Sequence, residues 1–195
     1  MIVFKYNKCK DTLRLVNTYI GDKIMFKKEF TVKSHGGSPT YINITDQLRD
    51  AISESQISNG IAVALTKHTT CSVFFEEFTH DFDKNGNEYL QNDLNNALSK
   101  IIPDHTSAET YSYPGPLHYK DVESWPNAEE YLPNGDKSAL WNGDAHLKAT
   151  LLGNSSIFEV ENGELSVSKT GYLYFVDFDR TRERTRKVTI LIIGD

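Results

Sequence analysis

Gly60-Ile61-Ala62-Val63-Ala64-Leu65-Thr66, then Lys67-His68-Thr69-Thr70, then Cys71-Ser72-Val73-Phe74-Phe75-Glu76-Glu77: this stretch decides how the chain folds. The first block is an apolar run of strand length and reads as a buried strand over 61–66. The last block reads as a second strand over 72–78, after a short connection at His68 to Cys71. A histidine and two hydroxyls therefore stand at a strand mouth, where sites are usually built. Alone, His68 is as readily a satisfied buried side chain whose neighbouring hydroxyls bond the turn. Cys71 lies three residues on, and strand alternation turns it to the opposite face, which weighs against a nucleophile.

Upstream, residues 24–33 alternate at Phe26, Phe30 and Val32 and predict a strand. His35 to Pro39 is a turn, Tyr41 to Ile44 a short strand, and 46–57 a helix capped by Thr45 or Asp46. Residues 1–22 carry little pattern and read as an arm or a short strand. Downstream, Asp81 to Asn87 is a polar turn resembling the front of a calcium loop through Asp81, Asp83, Asn85 and Gly86. Asn92 stands where that loop needs a glutamate, and a strand rather than a helix leads into it. Glu88 to Ile102 is the clearest amphipathic helix, with Leu90, Leu94, Leu98 and Ile101 near 3.6-residue spacing; Pro103 stops it.

Residues 104–142 predict a long irregular loop holding four of the six prolines and both tryptophans. Its aromatic content favours a packed lid over disorder. Gly143 to Gly153 reads as a short helix. Three strands follow near 156–160, 164–168 and 171–178, the first two joined through Asn162-Gly163, and Val188 to Ile193 closes the chain as an apolar strand. This order predicts one α+β domain over 1–195, with a largely antiparallel sheet and two main helices.

The 195 residues carry 21 Lys and Arg against 27 Asp and Glu, a net charge of −6. That excludes a general binder of nucleic acid or of a membrane surface. No run approaches the ~20 apolar residues needed to span a bilayer. Two cysteines, Cys9 and Cys71, in a chain of this length read as reduced thiols. With no apolar segment of signal length at the start, the expectation is a cytoplasmic protein. Arg180-Thr181-Arg182-Glu183-Arg184-Thr185-Arg186-Lys187 is the local exception in charge. It reads either as a solvated strand edge or as an anion site, since Arg180, Arg182 and Arg184 share one face if alternation continues. Forked guanidiniums suit a phosphate, with backbone N–H groups of Gly153 to Ser156 in support.

His68, His118 and His146, with Asp144 and Glu77, can supply a three-nitrogen metal site with an open position. The spacing matches no short metal motif. His146 lies one turn into its helix, and a helix-surface histidine is the bland reading. His118 follows Pro114-Gly115-Pro116 in the long loop.

Taken together the blocks resemble the YjbQ family, also labelled UPF0047 or secondary thiamine-phosphate synthase. They are His68-Thr69-Thr70 ahead of Glu77, Leu117-His118-Tyr119, Asn142-Gly143-Asp144-Ala145-His146 through Gly153 and Ser155, and Asp177-Phe178-Asp179-Arg180-Thr181-Arg182-Glu183-Arg184. They occur in the family's order across about residues 24–195. Three positions depart from the family pattern. Ser168-Lys169-Thr170-Gly171 stands for Gly-Thr-Trp-Gln, Asp179-Arg180-Thr181-Arg182 for Asp-Gly-Pro-Arg, and Glu76 for an asparagine. The arm and part of 104–142 look like additions.

The resemblance implies an α+β fold, a homotrimer, and histidines around a divalent metal such as zinc or magnesium. It also implies a weak ability to join the pyrimidine diphosphate and thiazole phosphate precursors of thiamine. The leading expectation is a metal-binding small-molecule enzyme acting on an anionic, phosphorylated substrate. His68, His118 and His146 hold the metal, Glu77 and Asp144 assist, and Arg182 and Arg184 hold the anion. The alternatives are a metal-dependent hydrolase and a non-catalytic trimeric ligand-binding module.

Overall fold

The computed structural model describes residues 18–20, 23–84 and 86–195. Its elements in chain order are β1 (Thr18–Ile20), β2 (Lys23–Ser34), β3 (Thr40–Asn43), α1 (Thr45–Ser55), β4 (Gly60–Thr66), β5 (Cys71–Glu77), α2 (Tyr89–Ile101), α3 (Pro116–Glu123), α4 (Gly143–Leu152), β6 (Ser155–Glu161), β7 (Glu164–Ser166), β8 (Gly171–Asp177) and β9 (Arg184–Gly194). They build an α+β domain with two antiparallel sheets. The larger has the order β1-β2-β9-β4-β6-β7 and the smaller β3-β8-β5. The deciding stretch therefore crosses between sheets, with β4 central in one and β5 at the edge of the other.

Alternation along β4 and β9 sets the layers. Ala62, Ala64, Ile190 and Ile192 are fully buried on one face. They pack with Leu48, Ala51 and Ile52 of α1, spaced three and four apart so that one helical stripe is covered. Val73, Leu173 and Phe175 of the small sheet complete this core. The small sheet's other face carries Val176, with Phe178 just beyond β8, against Leu98 of α2 and Ala145 and Ala149 of α4. Small alanines on α4 let it lie close to β5. Among the described residues, no layer covers the opposite face of the large sheet. Ile61 is 45% and Ile157 68% exposed there, with Val63, Leu65, Leu191 and Ile193 half-buried beside them.

Local chemistry explains where elements start and stop. Neither Thr45 nor Asp46 caps α1. Asn43 Oδ1 accepts from Thr45 N and Oγ1 at 3.0 and 2.7 Å, while Thr45 Oγ1 accepts from Leu173 N at 2.8 Å. The threonine is spent on the neighbouring strand. The β6–β7 turn matches its Asn-Gly signal, with φ of 53° at Asn162 and 79° at Gly163. The final strand begins four residues earlier than its apolar run, because β2 pairs with it as far as Ser34↔Arg184. Half of the arginine run is thus strand.

The 104–142 segment is more regular than predicted. It contains α3 and three short 3₁₀ turns around a small core of Val122, Leu132 and Leu140, with Tyr119, Trp125 and Tyr131 against it. Its Pro-rich start supplies the first turn of α3, where proline's missing N–H is harmless. The arm over 1–17, Cys9 and Asn85 of the calcium-like turn lie outside the described residues. Asp83 of that turn accepts from Asn87 N, Asn87 Nδ2 and Asn92 Nδ2 at 3.0, 3.3 and 3.1 Å, which satisfies it with amides.

Candidate functional site

The connection from β4 to β5 is closed by Cys71 N donating to the His68 carbonyl at 3.0 Å. It aims two side chains at β9. His68 Nε2 accepts from the backbone N–H of Lys187 at 2.9 Å, so that nitrogen carries no proton. Burial and the charges of Arg186 and Lys187 push the ring's pKa down, against the pull of Asp177. His68 is a neutral imidazole tied to a strand. Thr70 Oγ1 donates to Asp177 Oδ1 at 3.3 Å and accepts from Arg186 Nη2 at 3.0 Å.

Arg186 grips the fully buried Asp177 through Nε at 2.7 Å and Nη2 at 3.2 Å. Ser34 Oγ and the Asp179 N–H complete that carboxylate at 2.8 and 3.0 Å. A buried ion pair persists when every remaining oxygen and proton is satisfied, as here.

Asp179, two residues on and 2% exposed, lies next to this pair. Burial pushes its carboxyl up. The Thr181 hydroxyl at 2.6 Å and N–H at 3.0 Å, together with Arg184 at 3.1 Å and Asn142 at 3.3 Å, outweigh burial and hold it below the usual carboxylate range. Asp179 is the charge facing His146, which the first turn of α4 delivers. Burial lowers the His146 pKa, and Asp179 and a hydrogen bond with the Thr69 backbone oppose it; His118 and Arg186 push further down. His118 and His146 flank the Tyr113 ring at centroid distances of 5.1 and 5.3 Å, and Tyr113 Oη meets His118 Nε2 at 3.3 Å. Burial and then Asp179 raise the Tyr113 phenol.

Beside Asp179, Arg182 and Arg184 lie over Tyr131, with guanidinium carbons 5.1 and 5.9 Å from the ring centroid. Arg182 Nη1 donates to the Tyr131 carbonyl at 3.4 Å. Arg182 Nη2 and Arg184 Nε are buried with no hydrogen-bond partner among the described residues. Burial and the adjacent Arg184 lower the Arg182 pKa.

The predicted residues thus divide. His118, His146, Arg182 and Arg184 gather around Tyr113, Tyr131 and Asp179. His68 stands at the margin, facing β9. Arg180 leaves the face expected for it and joins Asp104 at 2.8 Å and Asp144 at 3.2 Å. Asp144, 1% exposed, is also held by Lys148 at 3.1 Å, and Lys148 reaches Asp104 at 3.0 Å. That four-charge network neutralises Asp144. Glu77 is exposed and pairs with Gly171 at the far end of β5, six residues beyond the Cys71↔Asp177 pair at the site. At ~3.3 Å per residue that is about 20 Å away. Gly153 to Ser156 leads into β6, with Asn154 bonded to both Thr66 N and Thr66 O, rather than to the arginines. Cys71 is buried, and burial first, then Asp177, pushes its thiol far up.

Among the described residues, no group of three or more His, Cys, Asp or Glu side chains is placed to hold a metal ion. The fold brings two imidazoles of the trio together and gives the third a backbone donor. The sequence pointed to Asp179 only as part of the Asp177 to Arg184 block, and did not single out Tyr113, Tyr131 or Arg186. Arg186 was legible as the next member of the alternating Arg182 and Arg184 series; Tyr113 had no signal.

The UPF0047 protein YjbQ-like family model matches residues 28–195. A UPF0047 protein of Methanocaldococcus jannaschii is 25% identical over 173 residues, 89% of this chain and 96% of its own length. One from Archaeoglobus fulgidus is 30% identical over 149 residues, 76% of this chain and 87% of its own. Among solved structures, an uncharacterised conserved protein of the YjbQ/UPF0047 family from Clostridium acetobutylicum is 27% identical, with a TM-score of 0.59 over 84% of this chain and 98% of its own. A YbjQ-like protein of unknown function from Sulfolobus solfataricus has the same fold, with a TM-score of 0.57 over 88% of this chain and 99% of its own, at 23% identity. The chain belongs to the YjbQ-like UPF0047 family.

Proposed function

We propose that the chain is a small-molecule enzyme that holds a phosphorylated substrate at Arg182 and Arg184 and transfers a proton at His146. The observation carrying this reading is the pair of buried, unpartnered guanidinium N–H groups, Arg182 Nη2 and Arg184 Nε, next to Asp179. Desolvated donors of this kind favour an anionic oxygen, which forms charge-assisted hydrogen bonds with them. His146, its pKa lowered by burial, is the free base at neutral pH while Asp179 stays ionised. A neutral imidazole beside a fixed carboxylate suits general acid–base work. The narrower substrate reading is the family's thiamine-phosphate label. Joining those precursors forms a nitrogen–carbon bond and releases diphosphate, whose developing charge the two guanidiniums stabilise.

Among the described residues, no third His, Cys, Asp or Glu is placed to join these two imidazoles as the three protein ligands that a catalytic zinc site uses. The proposed chemistry therefore runs on the imidazoles and guanidiniums. Elemental analysis of the purified protein separates this reading from a zinc- or magnesium-dependent hydrolase. The uncovered apolar face of the large sheet supports self-association, in line with a homotrimer.

The test is a thermal-shift screen with phosphorylated metabolites, the two thiamine precursors included, followed by turnover assays on the hits. Arg184→Ala weakens binding by roughly 10- to 100-fold, the loss of one charge-assisted bond. His146→Ala retains binding and loses turnover. Binding that survives Arg182→Ala/Arg184→Ala sinks the anion site. Hits that bind but never turn over make the chain a ligand-binding module.

A further inference from the structure

The unpartnered Arg182 Nη2 and Arg184 Nε are buried, and the Tyr131 ring lies over both guanidiniums. A ligand reaches such atoms only if the chain above them moves. We propose that residues 116–140 are a lid that moves as one body, latched by Tyr131, and that an anion gains the two arginines by displacing the latch. The anion half rests on the phosphate site proposed above; the lid itself does not.

The lid is held together from within. It runs from α3 through the three 3₁₀ turns around Val122, Leu132 and Leu140, a core separate from the two that the sheets build. Tyr131 is fixed to this core edge-on to Trp125, with ring centroids 5.1 Å apart at 89°. Tyr119 Oη donates to the Lys137 carbonyl at 3.3 Å, and the Lys137 ammonium lies 4.9 Å from the Tyr119 ring centroid, which joins α3 to the last turn. Glu129 Oε1 accepts from Asn134 N at 2.8 Å and joins the first turn to the second.

The chain on either side of the lid is clasped to α4. A Cβ on Gly143 would stand only 3.4 Å from the Tyr111 and Tyr113 rings, so the bare glycine seats both on the helix start. His105 accepts from the Gly143 N–H at 3.1 Å and stacks on Trp141 at 5.8 Å and 14°. Asp104 is held by Lys148 and Arg180. The segment thus leaves and returns at one place, as a compact surface loop does. Between these fixed ends the joins to the site are weak. Among the described residues two hydrogen bonds cross from lid to site, Tyr113 Oη with His118 Nε2 at 3.3 Å and Arg182 Nη1 to the Tyr131 carbonyl at 3.4 Å. Both lie beyond the usual range. The other join is the stacking of Tyr131 with Arg182 and Arg184. A single such cation–π contact shifts an equilibrium by roughly 3- to 30-fold.

Spin labels at Lys120→Cys in α3 and Lys33→Cys on β2, both exposed, measure the lid by pulsed dipolar spectroscopy of the full chain. Cys9→Ser removes one native thiol, and the buried Cys71 takes no label. The wild-type latch should give one main distance and a minor longer one. Arg182→Ala removes the hydrogen bond and ring contact to Tyr131 and should enlarge the longer population by roughly 3- to 30-fold. Inorganic pyrophosphate should enlarge it as well, and should do nothing in Arg182→Ala/Arg184→Ala. Labels at Glu109→Cys and Lys33→Cys, with Glu109 on the clasped part, should keep one distance throughout. Identical distances in wild type and Arg182→Ala, or a Glu109 pair that opens together with the Lys120 pair, overturn the lid. Pyrophosphate that raises the melting temperature without changing the distances overturns the gating and leaves the phosphate site standing. An Arg182→Ala lid that opens in a chain that binds no pyrophosphate supports the lid and sinks the phosphate site.

Discussion

Glu76 makes stability depend on pH. It lies on the β5 face that α2 covers, with Oε2 buried and without a hydrogen-bond partner among the described residues. Burial first, and the charge of Glu88 second, push its carboxyl from an ordinary value of 4.5 up to about 7. The folded chain therefore holds this proton more tightly than the unfolded chain does. The stabilisation is fully present below about pH 4.5 and is lost as pH rises through about 7. A difference of about 2.5 units is worth at most ~3.4 kcal/mol. Glu76 is only half-buried, and solvent screening reduces that to about 1–2 kcal/mol. Glu76→Gln keeps the shape of the protonated acid and cannot ionise. Urea unfolding of both proteins at pH 5 and pH 8 measures the effect, and the difference between them cancels the titrating groups that do not interact with Glu76. The variant should gain about 1–2 kcal/mol on the wild type between the two pH values. Parallel pH profiles, or a wild type that gains on the variant as pH rises, would refute the reasoning.

Other predictions follow the same physics. Arg186→Met leaves Asp177 buried with its strongest partner gone, and should cost about 3–5 kcal/mol in chemical denaturation; Asp177→Asn in that background should recover part of it. Gly171→Ala should lower the melting temperature, because its Cβ would run into the Phe75 ring; Phe75→Ala, at a half-exposed ring, should relieve the clash. Ile157→Glu places charge on the uncovered sheet face, so light scattering should report a smaller assembly than the wild type with unchanged circular dichroism. Leu48→Ala, at a fully buried position, should cost about 2–5 kcal/mol.

Sequence pattern revealed the fold where burial was one-sided or complete. The 61–66 run, the α2 stripe and Asn162-Gly163 each encode their own geometry locally. Pattern failed where the deciding partner was distant. Arg184 and Arg186 look like a solvated edge until Val32 and Ser34 pair beside them and Asp177 and Asp179 meet them from below. The α3 turn hides in proline-rich sequence because its apolar face covers a core of only three buried residues. In the site, His146 and the arginines were legible because blocks in a fixed order pointed to them. Glu77 was misplaced because sequence proximity to His68 does not say that β5 runs directly away from it. Tyr113 joins the two histidines from within an irregular segment, and no periodicity announces such a residue.

The cluster of Ser34, Thr70, Asp177 and Arg186 has an evolutionary consequence. Its members come from β2, the β4–β5 connection, β8 and β9, and each satisfies another. A lysine at 186 offers one point charge where a fork spans both carboxylate oxygens. Drift at any one of these positions strands the others in a dry interior, so they are free to change only as a set. Thr185 and Lys187, one step along the same strand and facing water, carry no such debt. Descendants of this chain should vary freely at 185 and 187 and move at 34, 70, 177 and 186 in rare, concerted steps.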